Sequence, residues 1–209
     1  MADSFGKSND YFDLDDPLRS QILAAAAKVI GEKGYYDTRI VDVVRAAGLS
    51  AGALYGRFES KEDLLKAAIV EATYSDSAAT GYNRDLIAEM TVNAALNEAP
   101  LGDNEALRLE AFVTSRRDDE VASAVREAQE LRRQSAQPIV DDALGGPASP
   151  EMNMQVDAAL YILETLHLGF LLQRSAGIRP RDPDAWAEVV TEMVNSLLGD
   201  VIERANKLR

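Results

Sequence analysis

The chain has 209 residues, 46% of them hydrophobic, no cysteine and a formal net charge of −13. This is enough for one large or two small domains with a substantial core, while the missing cysteines exclude disulfides and thiolate chemistry and fit a reducing cytoplasm. The acidity excludes a uniformly basic nucleic-acid surface, but it is uneven, at −4 over residues 1–16, +2 over 17–66 and −11 over 67–209.

Residues 1–16 hold five aspartates without periodicity and read as a disordered acidic tail. They have neither the basic region nor the apolar stretch of a signal peptide, and no later apolar run approaches the roughly 20 residues that span a bilayer. The expectation is a soluble, cytoplasmic protein with no membrane partner. Asp16-Pro17 supplies an N-cap and a first-turn proline, after which Leu18, Ile22, Ala25, Ala26, Val29 and Ile30 recur at helical spacing until Gly31 or Gly34. Beyond the aromatic corner Tyr35-Tyr36, Thr38 is expected to cap a short helix carrying Ile40, Val43, Val44 and Ala47, which Gly48 stops. Ser50 caps a third helix with Leu54 and Phe58 one turn apart, and Ser60 to Asp63 opens a fourth like a capping box.

No later segment alternates with period two, so the fold class is all-α, with about nine helices in total. Helices are expected near 84–98, 103–115, 118–144, 150–176 and 183–207. Ser149-Pro150 and Asp182-Pro183 repeat the capped proline start. The final helix carries Trp186, Val189, Val190, Met193, Leu197 and Val201 in one stripe. The helix before it is apolar over much of its circumference and therefore needs cover on more than one side, from its own domain and from a second subunit.

Two short helices joined by Ala47-Gly48-Leu49-Ser50 satisfy the requirements of a helix-turn-helix: a glycine at the sharp turn, a leucine plugging the junction and a serine capping the second helix. The stretch TRIVDVVRAAGLSAGALYGRFESKEDLL, residues 38–65, resembles the signature of the TetR family of transcriptional regulators, and the likeness extends less sharply over residues 18–72. Residues 17–66 then form an N-terminal three-helix DNA-binding domain, and 67–209 a C-terminal helical domain for effector binding and dimerisation. Thr38 and Ser50 lie at helix N-termini, where free N–H groups favour a phosphate. Gly52 permits close approach, and Tyr55 points away from the Leu54/Phe58 face toward a phosphate. Lys61 matches the family's phosphate-binding lysine. Where the family often has an aromatic residue and a histidine, this chain has Gly56 and Arg57. Ala51, Gly52 and Ala53 offer almost no hydrogen bonding at the front of the recognition helix, so reading is expected to lean on Arg39, Arg57, apolar contacts and DNA shape.

The resemblance also implies a homodimer formed through the last two helices, and a largely apolar effector pocket among the middle ones. Met90, Leu109, Phe112, Val113, Leu163, Leu166, His167 and Phe170 are the candidate lining. One histidine, no cysteine and no spaced carboxylates give no metal site, and no nucleophile elbow, phosphate loop or dinucleotide fingerprint is present. The expectation is therefore a non-enzymatic repressor, without cofactor, that is released from a palindromic double-stranded operator by a small effector. The competing readings are a regulator with no small-molecule effector and a helical small-molecule carrier that does not bind DNA.

Overall fold

The computed structural model describes residues 16–78, 84–143 and 146–207, so the acidic tail expected over 1–16 lies outside the described residues except for Asp16. Among them run nine helices: α1 (Pro17–Lys33), α2 (Ile40–Ala47), α3 (Ala51–Tyr55), α4 (Lys61–Ala78), α5 (Arg84–Leu96), α6 (Asp103–Thr114), α7 (Asp119–Ala143), α8 (Pro150–Ser175) and α9 (Pro183–Lys207). The all-α expectation holds, and the later helix boundaries fall within two residues of those predicted. Two compact units emerge: residues 1–77 with 102–132, and residues 78–101 with 133–209.

In the first unit α1 is the central element, packed against α2, α3 and α6. Its start is fixed by Asp16, whose carboxylate accepts from the N–H groups of Leu18 and Arg19, with Pro17 in the first turn. Ile22, Ala26 and Ile30 are wholly buried beside Val43, Leu54, Phe58 and Leu64. Small residues let α6 approach closely, because a Cβ added at Gly31 would lie 2.9 Å from that of Ala106. At the end of α2, Gly48 takes the left-handed conformation (φ 66°) and Leu49 N–H returns to Val44 C=O at 3.2 Å. Gln21 of α1 donates to Ala47 C=O at 2.7 Å, satisfying another carbonyl of that terminus. Lys33 lies 3.0 Å from Asp42, and this ammonium holds the Asp42 carboxyl below the usual carboxylate range.

The expected cap of α2 is corrected. Arg39 occupies the N-cap position without a side-chain bond, while Thr38 is only 1% exposed and its hydroxyl donates to Gly34 C=O at 2.8 Å. The turn leaves that carbonyl four residues back within reach, and a buried hydroxyl must find such a partner.

In the second unit α8 and α9 pack on α5 and on each other. Val190 and Val194 are buried with Ala88, against Val92, Leu163 and Trp186. The stripe predicted for α9 is thus divided. Val190 turns inward while its neighbour Val189 is 63% exposed, since adjacent residues of a helix cannot share one face. In α8, Met152, Val156, Ala159 and Leu171 are buried, whereas Tyr161 is 75% exposed and Met154, Ile162 and Leu172 are also exposed. By length and composition α8 is apolar enough to cross a membrane, which corrects the expectation that no segment approaches this limit. Asp157 and Glu164 break the continuous apolar run, while the mean hydropathy of the helix stays high.

Candidate DNA-binding site

The outward surface of the first unit is organised by α3. Five residues cannot hold a helix by propagation alone, so their neighbours impose it. Ser50 Oγ accepts from Ala53 N–H at 3.2 Å. Leu54 and Phe58, each 1% exposed, fix the inner face, and the Arg19 guanidinium lies 4.7 Å over the Phe58 ring. The opposite face is left to solvent: Tyr55 is 56% exposed, and Ala51, Gly52 and Gly56 are exposed too. Ala53 is half-buried. Arg39, just before α2, is exposed, and Lys61 is half-buried at the first position of α4. Ser60 Oγ accepts from Asp63 N–H, and the Asp63 carboxylate reaches back to Glu59 N–H, each at 3.0 Å, one residue earlier than a capping box places its reciprocal bond.

Two predicted contacts sit differently. Thr38 is sealed inside the turn. Arg57 folds back: Nε donates to Asp16 Oδ2 at 2.6 Å, Nη2 to Asp16 Oδ1 at 3.1 Å and Nη1 to Ala53 C=O at 3.0 Å. The same guanidinium holds the Asp16 carboxyl below its ordinary range. Sequence reasoning gave Asp16 only its capping role. It also overlooked Arg108, Glu164 and Arg174, charged residues that the helices bury. Arg174 Nη1 donates to Ala94 C=O at 3.1 Å, and its place in the last turn of α8, where cations suit the free carbonyls, was the available signal.

The residues named for an effector pocket fall in separate units. Leu109 and Phe112 are half-buried and Val113 exposed on α6, in the first unit. Leu163, Leu166, His167 and Phe170 are half-buried in the second, where Phe170 meets Trp186 edge to face at 5.1 Å. The Met90 side chain lies outside the described residues. A cavity of about 360 Å³ within the first unit is lined by other residues, Tyr35, Glu62, Lys66, Ile69 and Glu120 among them.

The sequence profile described as bacterial regulatory proteins, tetR family, matches residues 22–68, which run from the core of α1 through α2 and α3 into α4. Over this stretch the chain is similar to the TetR family of regulators. The chain is 33% identical to the HTH-type transcriptional regulator CymR of Pseudomonas putida over 122 residues, 55% of this chain and 59% of CymR. The match spans 59% of CymR and 23% of the HTH-type transcriptional regulator HbdR of Aromatoleum sp., less than two thirds of either relative. Its fold is that of Salmonella enterica GusR, with a TM-score of 0.59 at 23% identity, covering 88% of this chain and 96% of GusR. The fold is also similar to that of the multidrug binding protein EbrR complexed with imidazole, with a TM-score of 0.55 at 21% identity over 87% of this chain and 96% of EbrR.

Proposed function

We propose that the chain is a dimeric transcriptional repressor that binds a palindromic operator and is released by a small, largely apolar effector. The observation that carries the reading is the division of labour on α3: Leu54 and Phe58 anchor it inside while Tyr55 and a row of small residues stand outside. Residues 17–66 form the DNA-reading module. Arg39, Tyr55 and Lys61 contact phosphates and groove, Ser50 contributes at the helix start, and Ala51, Gly52, Ala53 and Gly56 allow close approach. The exposed apolar residues of α8 and α9 support self-association through these helices, and a palindromic operator read on successive major grooves requires two α3 copies about 34 to 36 Å apart. The similar fold of EbrR, a multidrug binding protein complexed with imidazole, supports the reading that this chain binds a small ligand. An effector that prefers another subunit spacing lowers operator affinity through reciprocal coupling, typically about 1 to 3 kcal/mol. The protein acts in the cytoplasm as a binding protein without catalytic activity.

The test is selection of duplexes from a random library at near-physiological salt, with wild type and with an Arg39→Ala, Tyr55→Phe, Lys61→Ala variant. A palindrome enriched by the wild type and weakened in the variant is expected. No enrichment at all would replace this reading by that of a small-molecule carrier.

A further inference from the structure

We propose that Asp16 and Arg57 form a positioning clamp that pre-organises the recognition helix, so that a carboxylate beside the DNA-reading face increases operator affinity. The inference rests on the DNA-binding reading above. It begins with how Arg57 is held: three of its five guanidinium N–H donors, one on each nitrogen, are engaged, two by Asp16 and one by Ala53 C=O. This is the two-pronged geometry in which arginine binds a carboxylate most strongly. Both side chains are about one quarter exposed, so solvent screens the pair only in part.

The two ends of the clamp matter equally. Asp16 is itself immobilised as the N-cap of α1, through Leu18 and Arg19 N–H. Arg57 sits just beyond α3, and its bond to Ala53 C=O closes one of the carbonyls that a five-residue helix leaves without an internal partner. The clamp therefore ties the end of α3 to the start of α1, the element on which the first unit is built. A recognition helix that frays binds DNA only in its formed fraction, and its apparent affinity falls by that fraction. Arg57 is accordingly a positioning residue that touches no phosphate.

The sign of the effect separates this from simple electrostatics. Removing a negative charge near DNA ordinarily strengthens binding, whereas the clamp predicts weakening. Asp16→Asn keeps a good N-cap and removes the charge-assisted pair. With the selected operator duplex, Asp16→Asn and Arg57→Ala are each expected to bind about threefold to tenfold more weakly. The double variant should be no weaker than the worse single one, and the slope of log affinity against log salt should stay at the wild-type value. In the DNA-free protein, amide hydrogen exchange at Leu54, Gly56 and Phe58 should quicken in Asp16→Asn by a similar factor. Equal or tighter binding by Asp16→Asn, or a salt slope lowered by about one in Arg57→Ala, the loss of one phosphate contact, would overturn the clamp. If wild type binds no duplex, the functional reading fails, and the exchange measurement alone decides whether the clamp exists.

Discussion

Glu110 of α6 accepts the backbone N–H of Tyr35 at 2.9 Å, so the turn that aims α2 is held by a side chain 75 residues further along the chain. The same Oε1 atom accepts from Thr114 at 3.3 Å. Replacing Glu110 by alanine leaves a part-buried amide without its acceptor, which costs about 1 to 3 kcal/mol. Urea unfolding of Glu110→Ala should show a lower midpoint at unchanged slope, and Glu110→Gln, which retains a carbonyl oxygen, should recover most of the loss.

Gly31 and Gly52 should respond oppositely to an added side chain. At Gly31 a Cβ would lie 2.9 Å from that of Ala106, and Gly31→Val overpacks the contact between α1 and α6 at a cost of about 1 to 3 kcal/mol. At Gly52 the nearest atom to a new Cβ is Ser50 Oγ at 3.8 Å, an ordinary contact. Gly52→Ala should therefore gain up to about 1 kcal/mol from helix propensity while binding operator more weakly. Thermal unfolding and duplex titration of the same samples would show stability and binding moving in opposite directions.

Burial first, and then the charges of Asp118, Glu62 and Glu120, push the Tyr35 phenol up to about 12. Between the ordinary tyrosine value near 10 and that of the folded protein, the native state keeps a proton that the unfolded chain has released. The contribution is fully present below pH of about 10 and is lost as pH rises toward 12. Stability should fall across this alkaline window, and Tyr35→Phe should flatten the fall. Phenolate absorbance should show one tyrosine titrating late in wild type and missing from the variant.

Charge on the apolar surface of α8 and α9 should prevent self-association. Tyr161→Glu with Val189→Glu alters two exposed positions, so the monomer fold should persist by circular dichroism. Light scattering should report a monomer in place of a dimer, and operator affinity should drop with the loss of two-site engagement. A variant that stays dimeric would place the interface elsewhere.

The helices were legible because their ends are written locally. Ser149-Pro150 and Asp182-Pro183 each start a helix, and both polar side chains accept the expected N–H, from Met152 and Ala185. Leu54 and Phe58 could be assigned inward, and Tyr55 outward, from spacing alone. Thr38 was misjudged because a threonine before an apolar run serves as a cap or bonds backwards, and only the turn at Gly34 decides which. The Asp16–Arg57 pair joins residues 41 positions apart, a separation to which periodicity is blind. In α9 the adjacent valines 189 and 190 carried the same apolar signal, although a single helical face admits only one of them.

The front of α3 carries almost nothing but methyl groups and hydrogens at Ala51, Gly52 and Ala53, while its anchoring is delegated to Leu54, Phe58 and the N-terminal cap. Under the proposed DNA-reading role of α3, operator preference and foldability fall to different residues. On that reading, lineages of such a protein are free to acquire new target sequences through single substitutions at positions 51 and 53 without passing through unstable ancestors, so that its regulatory wiring diverges faster than its architecture.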